Sequence, residues 1–306
     1  MTVHGERVTL PAVSKADGAK ALQRFADGFN KVNRELNPEL NPSFEGDALL
    51  ALDQAGIKAA HALNPRGNPG FRALTFKDAH FTVPKQKGWP RYFIADADTN
   101  RKGADGSFRR WFLVFSRNGI DEQWRAVYLA EFDGNKAPKL KTDQDGYAEA
   151  VPTDGASGLM VAPGRLSRAY ADYLNTGQGS TFAPGPHTDG WRAKRARDAN
   201  LPGQRIQWDD AATNHPPVAL RTADGGALVF FSTLYHQLKT VSTGARITVP
   251  PALRGLIVGA HNPQQAISRM AFTTVSMQAV TVPAEGSGGK VTVLNRRESK
   301  TEVKPL

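Results

Sequence analysis

Residues Ser107 to Phe132, SFRRWFLVFSRNGIDEQWRAVYLAEF, decide how the rest of the chain is read. They divide into two strands, Ser107 to Arg117 and Glu122 to Phe132, about a short turn at Asn118-Gly119. Phe108, Phe112 and Val114 alternate with Trp111, Leu113 and Phe115, so the centre of the first strand is apolar on both faces. A strand of that kind belongs in the middle of a sheet covered on one side and curled into a pocket on the other. Similar passages return at Gly226 to Lys239 and at Ser268 to Val282, which predicts one architecture used twice.

Upstream, Ser14 is placed to cap a helix from Lys15 to about Leu36, in which Ala21, Leu22, Phe25, Phe29, Val32 and Leu36 form one apolar stripe. Asn37-Pro38 and Asn41-Pro42 break it, and a second helix is predicted from Asp47 to Leu63, stopped at Asn64-Pro65. Strand patterns follow at Arg72 to Val83 and Arg91 to Asp98, the first with its alternation broken at Lys77-Asp78, the signature of a bulge. Asn135 to Gly158, rich in Gly, Pro, Asp and Lys without an apolar period, reads as a linker. The pattern then restarts with helices at Val161 to Asn175 and within His187 to Asn200. Strands are predicted at Arg205 to Asp209, Val218 to Thr222, Ala227 to Lys239, Ser268 to Val282 and Lys290 to Asn295, with an insertion from Ser242 to Gln265. Helices before strands, in place of alternation, make the class α+β. The expected organisation is two tandem domains, residues 1–155 and 156–306, each with N-terminal helices packed on a curved, mostly antiparallel sheet.

The 306 residues suffice for two cores, and no run reaches the roughly 20 apolar residues of a membrane-spanning helix. Cysteine is absent, which removes disulfides and thiol chemistry. Met1 is followed directly by Thr2-Val3-His4-Gly5-Glu6, without an apolar leader; an exported chain lacking its leader reads the same way. Of the net charge of +10, the first 155 residues carry 22 basic against 20 acidic side chains and the remainder 17 against 9, so the second half holds the excess.

No catalytic, cofactor or metal motif is complete. The seven histidines (His4, His61, His80, His187, His215, His236 and His261) form no paired-ligand spacing. His236, within a strong strand, is expected to face the core or a pocket. Asp96, Asp98 and Asn100 begin like a calcium loop but meet Arg101 where a glycine is needed and Ser107 where a bidentate glutamate belongs; Asp143, Asp145 and Gly146 are similarly incomplete. Asp121-Glu122 reads as a turn, and Asp209-Asp210, after Trp208, as an acid pair at a strand end. The Gly-rich segments lack the lysine of a phosphate loop, and Gly155-Ala156-Ser157-Gly158 has the wrong spacing for a nucleophile elbow. One stretch has an arguable surface role. Trp191, Arg192, Lys194, Arg195 and Arg197 would give a short helix a basic face suited to a membrane surface, a cell-envelope protein or an anionic cell-wall polymer; the alternative is a solvated face with Trp191 turned inward. Interleaved aromatics on a basic sheet face, as nucleic-acid binding requires, are missing.

The two N-terminal helices, the bent first strand and the long hairpin closing at Asn118-Gly119 resemble the nuclear-transport-factor-like (cystatin-like) cone fold, and the second half looks like a variant of it. The resemblance implies a pocket in each cone, and sheets that meet face to face if the two cones dock. The opening Thr2-Val3-His4-Gly5-Glu6, the helix with Ala21-Leu22-Arg24-Phe25 and the Ala-, Gly- and Arg-rich composition are similar to secreted actinobacterial lipoproteins of unknown function. That likeness implies an extracytoplasmic protein anchored by a lipidated N-terminus that this chain, lacking cysteine, does not contain. Two functions remain: a non-enzymatic binding or scaffold protein, and a small-molecule-binding protein or enzyme using the cone pocket. Convergence of Tyr92, Trp111, Tyr128 and the Asp96 or Glu131 carboxylates in one cavity would favour the second.

Overall fold

A computed structural model describes residues 8–103, 106–132, 137–259, 262 and 266–306. His4, His261 and the opening Met1 to Glu6 lie outside them. Helix α1 (Lys15–Glu35) starts where Ser14 Oγ accepts from Asp17 N, as the capping rule requires, and buries Ala21, Leu22, Phe25 and Val32. A 3-10 turn, Pro38–Ser43, leads to helix α2 (Asp47–Leu63). The first large sheet is antiparallel and ordered β2 (Phe76–Thr82), β4 (Arg91–Lys102), β5 (Phe108–Arg117), β6 (Arg125–Phe132). Its register shifts between Lys77 and His80, where Asp78 has φ 49°, so the broken alternation is a bulge. The hairpin loop is longer than the predicted turn. β6 begins at Arg125 because Trp124 folds back edge-on against Phe93, at 4.9 Å between ring centroids.

Helices α3 (Leu166–Thr176) and α4 (Asp189–Asp198) precede the second sheet. Its order is β12 (Thr292–Pro305), β11 (Arg269–Val282), β10 (Ala227–Val241), β8 (Gln204–Ala212), with β9 (Val218–Arg221) pairing the other end of β10. β10 and β11 pair without a slip from Ala227↔Val282 to Thr240↔Arg269. A small third sheet joins β1 (Leu10–Pro11), β3 (Pro84–Gln86) and β7 (Ala148–Glu149). The architecture is α+β, with open sheets that are antiparallel apart from the parallel β3–β7 pair, and the described strands close no barrel.

Strand alternation explains how the layers stack. On one face of the first sheet Phe93, Trp111 and Phe115 meet α1, with Phe25 edge-on to Phe115 at 6.2 Å and Phe29 edge-on to Trp111 at 5.9 Å. On the other, Tyr92, Ile94, Val114 and Tyr128 meet Val218, Leu220, Phe230 and Met277 of the second sheet in one continuous apolar cluster. Tyrosine hydroxyls bond across this seam, Tyr92 Oη to Ala219 O and Tyr128 Oη to Pro216 O, both 2.8 Å. The far face of the second sheet, with Val229, Phe231, Val280 and Val282, is covered by Leu166, Tyr170 and Leu174 of α3. The sequence of layers is therefore helix, sheet, sheet, helix, and each large aromatic buried between them contributes about 1.5–3 kcal/mol.

The segment expected as a linker is tied down. Leu140 bridges Thr222, Ala150 bridges Leu220 and Ala148 pairs with Pro84, so residues 137–150 run along the seam; 133–136 lie outside the described residues. Helix α2 rests against β6 of the first sheet and β11 and β12 of the second. The insertion after β10 reaches back to it through a second 3-10 turn, Pro251–Leu256. Gly255 there sits so close to α2 that a Cβ would stand 2.4 Å from Lys58 O.

Candidate functional site

A groove of about 500 Å³ opens among α1, α2, β5, β6 and β12. Trp111, Asn41, Asp53, Glu131 and Arg297 line it. Each arrives by a different route. The Pro38–Ser43 turn, capped by Asn37, presents Asn41. The next residues, Phe44 to Gly46, clip onto the start of β6 through Ala126 N to Phe44 O and Gly46 N to Ala126 O, both 2.9 Å, which fixes Glu45. Asp53 comes from α2, Trp111 and Glu131 from paired positions on β5 and β6, and Arg297 from β12.

Asn41 Nδ2 donates to Glu45 Oε2 at 2.7 Å, and both residues are sealed from solvent, with 1 % and 0 % of their surface exposed. The Asp53 carboxyl is close enough to act on Glu45, whose Oε1 has no hydrogen-bond partner among the described residues. Two neighbouring carboxyl groups held away from water resist double ionisation, which favours one proton on the pair. Burial first and the neighbouring Asp53 charge second push the Glu45 carboxyl well above the usual range. Burial also raises Asp53, opposed by the Arg297 charge and by the bond from Glu45. The two titrate as a pair in which Glu45, the more strongly raised, holds its proton the tighter, and Asp53 lies on the groove side. Opposite them Arg297 binds Glu131 Oε1 through Nη1 and lies over the Trp111 ring at 5.9 Å. Trp111 is 6 % exposed and its buried Nε1 has no hydrogen-bond partner among the described residues. The groove therefore offers one N–H seeking an acceptor, one carboxylate and one aromatic face.

Of the five residues proposed to converge, only Trp111 and Glu131 do. Tyr92 and Tyr128 project from the opposite face into the seam, where burial raises both phenols. Asp96 belongs to a third place: Arg110 gathers Asp96 (2.6 Å), Asp98 (3.0 Å) and Asp78 (3.2 Å) on the rim of the first sheet. Asp96, Asp98 and Asn100 therefore lie in strand β4, not in a turn, and the first two carboxylates are already held by a guanidinium. Asp143 and Asp145 hold Lys85 at 2.6 and 3.3 Å. His236 is exposed, with Thr273 Oγ1 at 3.2 Å, and faces neither core nor pocket. Asp209 and Asp210 point to opposite sides of β8, the first exposed and the second buried.

The basic helix is only partly a basic surface. Arg195 is 8 % exposed and bound to Asp210 by two bonds, Nη1 to Oδ2 and Nη2 to Oδ1, the latter 3.2 Å. Its guanidinium lies 5.3 Å from Trp191, 5.8 Å from Trp208 and 4.6 Å from Tyr235. Arg192 Nε donates to Leu174 O at 3.2 Å, and Lys194 pairs with Asp198 at 2.7 Å. The helical period turns Arg195 inward to answer a buried carboxylate, leaving Lys194 and Arg197 outermost. Burial raises Asp210 and Arg195 opposes that rise.

Residues 9–304 match the family model described as a domain of unknown function, DUF8094, and the chain belongs to that family. It is 41 % identical over 99 % of its length to an uncharacterized lipoprotein of Streptomyces coelicolor, covering 89 % of that protein. An uncharacterized lipoprotein of Streptomyces avermitilis is 40 % identical over 99 % of this chain and 90 % of its own length. A second S. coelicolor lipoprotein is 25 % identical over 92 % of this chain and 80 % of its own length. No solved structure matches.

Proposed function

We propose that this protein is an extracytoplasmic, lipid-anchored binding protein whose groove at Trp111 receives a small polar ligand. The names of its Streptomyces relatives support the location. The ligand reading rests on the carboxyl pair: a neutral Glu45 behind an ionised Asp53, aimed at a groove in which Trp111 Nε1 has no acceptor. A ligand that accepts from Trp111 and donates an ammonium or hydroxyl to Asp53 satisfies both. The two halves, 1–155 and 156–306, are taken as cone-like units docked sheet to sheet, a reading supported by the repeated order of helices then strands and by the apolar seam. The groove lies where α2 and β12 bring the halves together, a common position for ligand sites.

The test is a thermal-shift panel of small amines, amino acids and sugars on wild type and Asp53→Asn. At least one compound is expected to stabilise the wild type and to lose that effect in the variant. Equal shifts in wild type, Asp53→Asn and Trp111→Phe would sink the ligand reading. Fatty-acid labelling and fractionation of the full-length chain test location; an unlabelled cytosolic product would overturn it. The shared proton also favours a second reading, an enzyme using the pair as acid and base. Turnover lost in Glu45→Gln with binding kept would select it.

A further inference from the structure

At the hairpin end of the first sheet lies a second, larger cleft, of about 720 Å³, walled by Pro11 to Ser14, the start of α1 and the loop 120–124. Arg91 and Arg117 line it and are cross-strand partners, Cα opposite Cα, on β4 and β5. Like charges placed directly opposite destabilise a sheet. Both guanidiniums lie against Trp89, at 4.7 and 5.1 Å, and that of Arg117 also lies over Trp124 at 4.6 Å. A third guanidinium, Arg24 of α1, reaches the same cleft and is held there by Gln123 Oε1 and by Ser43 O at 2.7 Å.

Among the described residues none of these three arginines has a carboxylate oxygen within 4.0 Å. Their remaining bonds go to neutral carbonyls, Arg91 Nε to Gly88 O and Arg117 Nη1 to Ile120 O, both 3.2 Å, and Arg117 Nε is buried without a partner. Carboxylates do line the cleft. Asp17 pairs with Lys20 at 3.2 Å, and Asp121 and Glu122 are exposed. The arginines are fixed by aromatic faces and neutral acceptors, and Asp17 acts on Arg117 only as a charge without a direct ion pair. Burial, and then Arg91, push the Arg117 guanidinium below its ordinary value, against the smaller opposing pull of the Asp17 charge.

We propose that this cleft binds a phosphate group, with Arg24, Arg91 and Arg117 supplying the donors and Trp124 an apolar wall. Guanidinium forks match the paired oxygens of a phosphate, and three of them around one space suit a tetrahedral anion better than a single planar carboxylate. The phosphate is either the headgroup of an anionic lipid or that of a free phosphorylated solute. This site is separate from the Trp111 groove and does not depend on the reading given to it.

The experiment uses the whole chain and three probes: inorganic phosphate, phosphatidylglycerol vesicles and phosphatidylcholine vesicles. Phosphate is expected to raise the melting temperature beyond what chloride does at equal ionic strength. Arg91→Gln and Arg117→Gln are each expected to weaken binding about tenfold or more, the loss of one charge-assisted contact. Arg197→Gln, on the exposed side of α4, should bind as the wild type does. Binding to phosphatidylglycerol vesicles alone assigns a lipid headgroup, and binding to inorganic phosphate alone assigns a soluble ligand. Binding to neither, a chloride effect equal to that of phosphate, or unaltered binding in both cleft variants overturns the proposal. Arg91→Gln removes a repulsion and so remains a usable test should Arg117→Gln fail to fold.

Discussion

Two pairs of like charge sit toward opposite ends of α1, and the protein resolves them differently. Glu45 is sealed from solvent with Asp53 between it and the groove, and burial favours one proton on the pair, which relieves the repulsion. Arg91 and Arg117 have no such recourse, because a guanidinium keeps its proton at any ordinary pH. They are spread over Trp89 and Trp124 instead, without a direct carboxylate partner among the described residues. The acid pair is therefore a device that responds to pH, and the arginine pair one that responds to anions. Arg195 and Asp210 provide the reference, an opposite pair in which each charge has its answer.

The largest effect comes from breaking that reference. Arg195→Ala leaves Asp210 buried and alone and should cost about 3–5 kcal/mol by urea denaturation. A loss below that of an ordinary surface ion pair would mean that Asp210 is neutral. Glu45→Gln is expected to do the opposite at pH 7. Glutamine reproduces the protonated acid, accepting from Asn41 and donating to Asp53, so stability should rise by about 1 kcal/mol. The pH profile gives the sign. A carboxyl raised in the folded state binds its proton more tightly there than in the unfolded chain. Wild-type stability therefore falls as pH rises from the ordinary glutamate value of 4.5 through the raised one. Glu45→Gln should flatten that fall, and an unchanged profile would place the proton elsewhere. The smallest effect belongs to the arginine pair: in anion-free buffer at low salt, Arg91→Gln should gain about 0.5 kcal/mol, a gain that vanishes as salt screens the repulsion. A loss at low salt would show that the pair is held by something stronger than its aromatic neighbours.

Much of the framework was legible because it rests on periodicity. The stripe on α1 is the buried face observed, and the doubly apolar centre of Phe112 to Phe115 lies between α1 and the second sheet. The sites were less legible for a physical reason: each is made by register and by chain reversal. Nothing in the sequence places Arg91 opposite Arg117, since that follows from the register of β4 on β5, which shifts between Asp98 and Lys102. Glu45 resembles an ordinary acid before a helix. One signal was available, because Asp53 interrupts the apolar run Leu49, Leu50, Leu52, Ala55 and Ile57, and an acid inside such a run needs a partner. The basic character of Trp191 to Arg197 was read correctly, but helical phase turned Arg195 toward a carboxylate 15 residues away.

The contact of Gly255 with the Lys58 carbonyl has a consequence for inheritance. A late insertion grips an early helix at a point where no side chain fits, so a gene fragment encoding either half alone would deliver a polypeptide missing its clasp. Lineages that shuffle modules would gain little from cutting here, and relatives aligned across nearly the full length are what such an indivisible chain should leave behind.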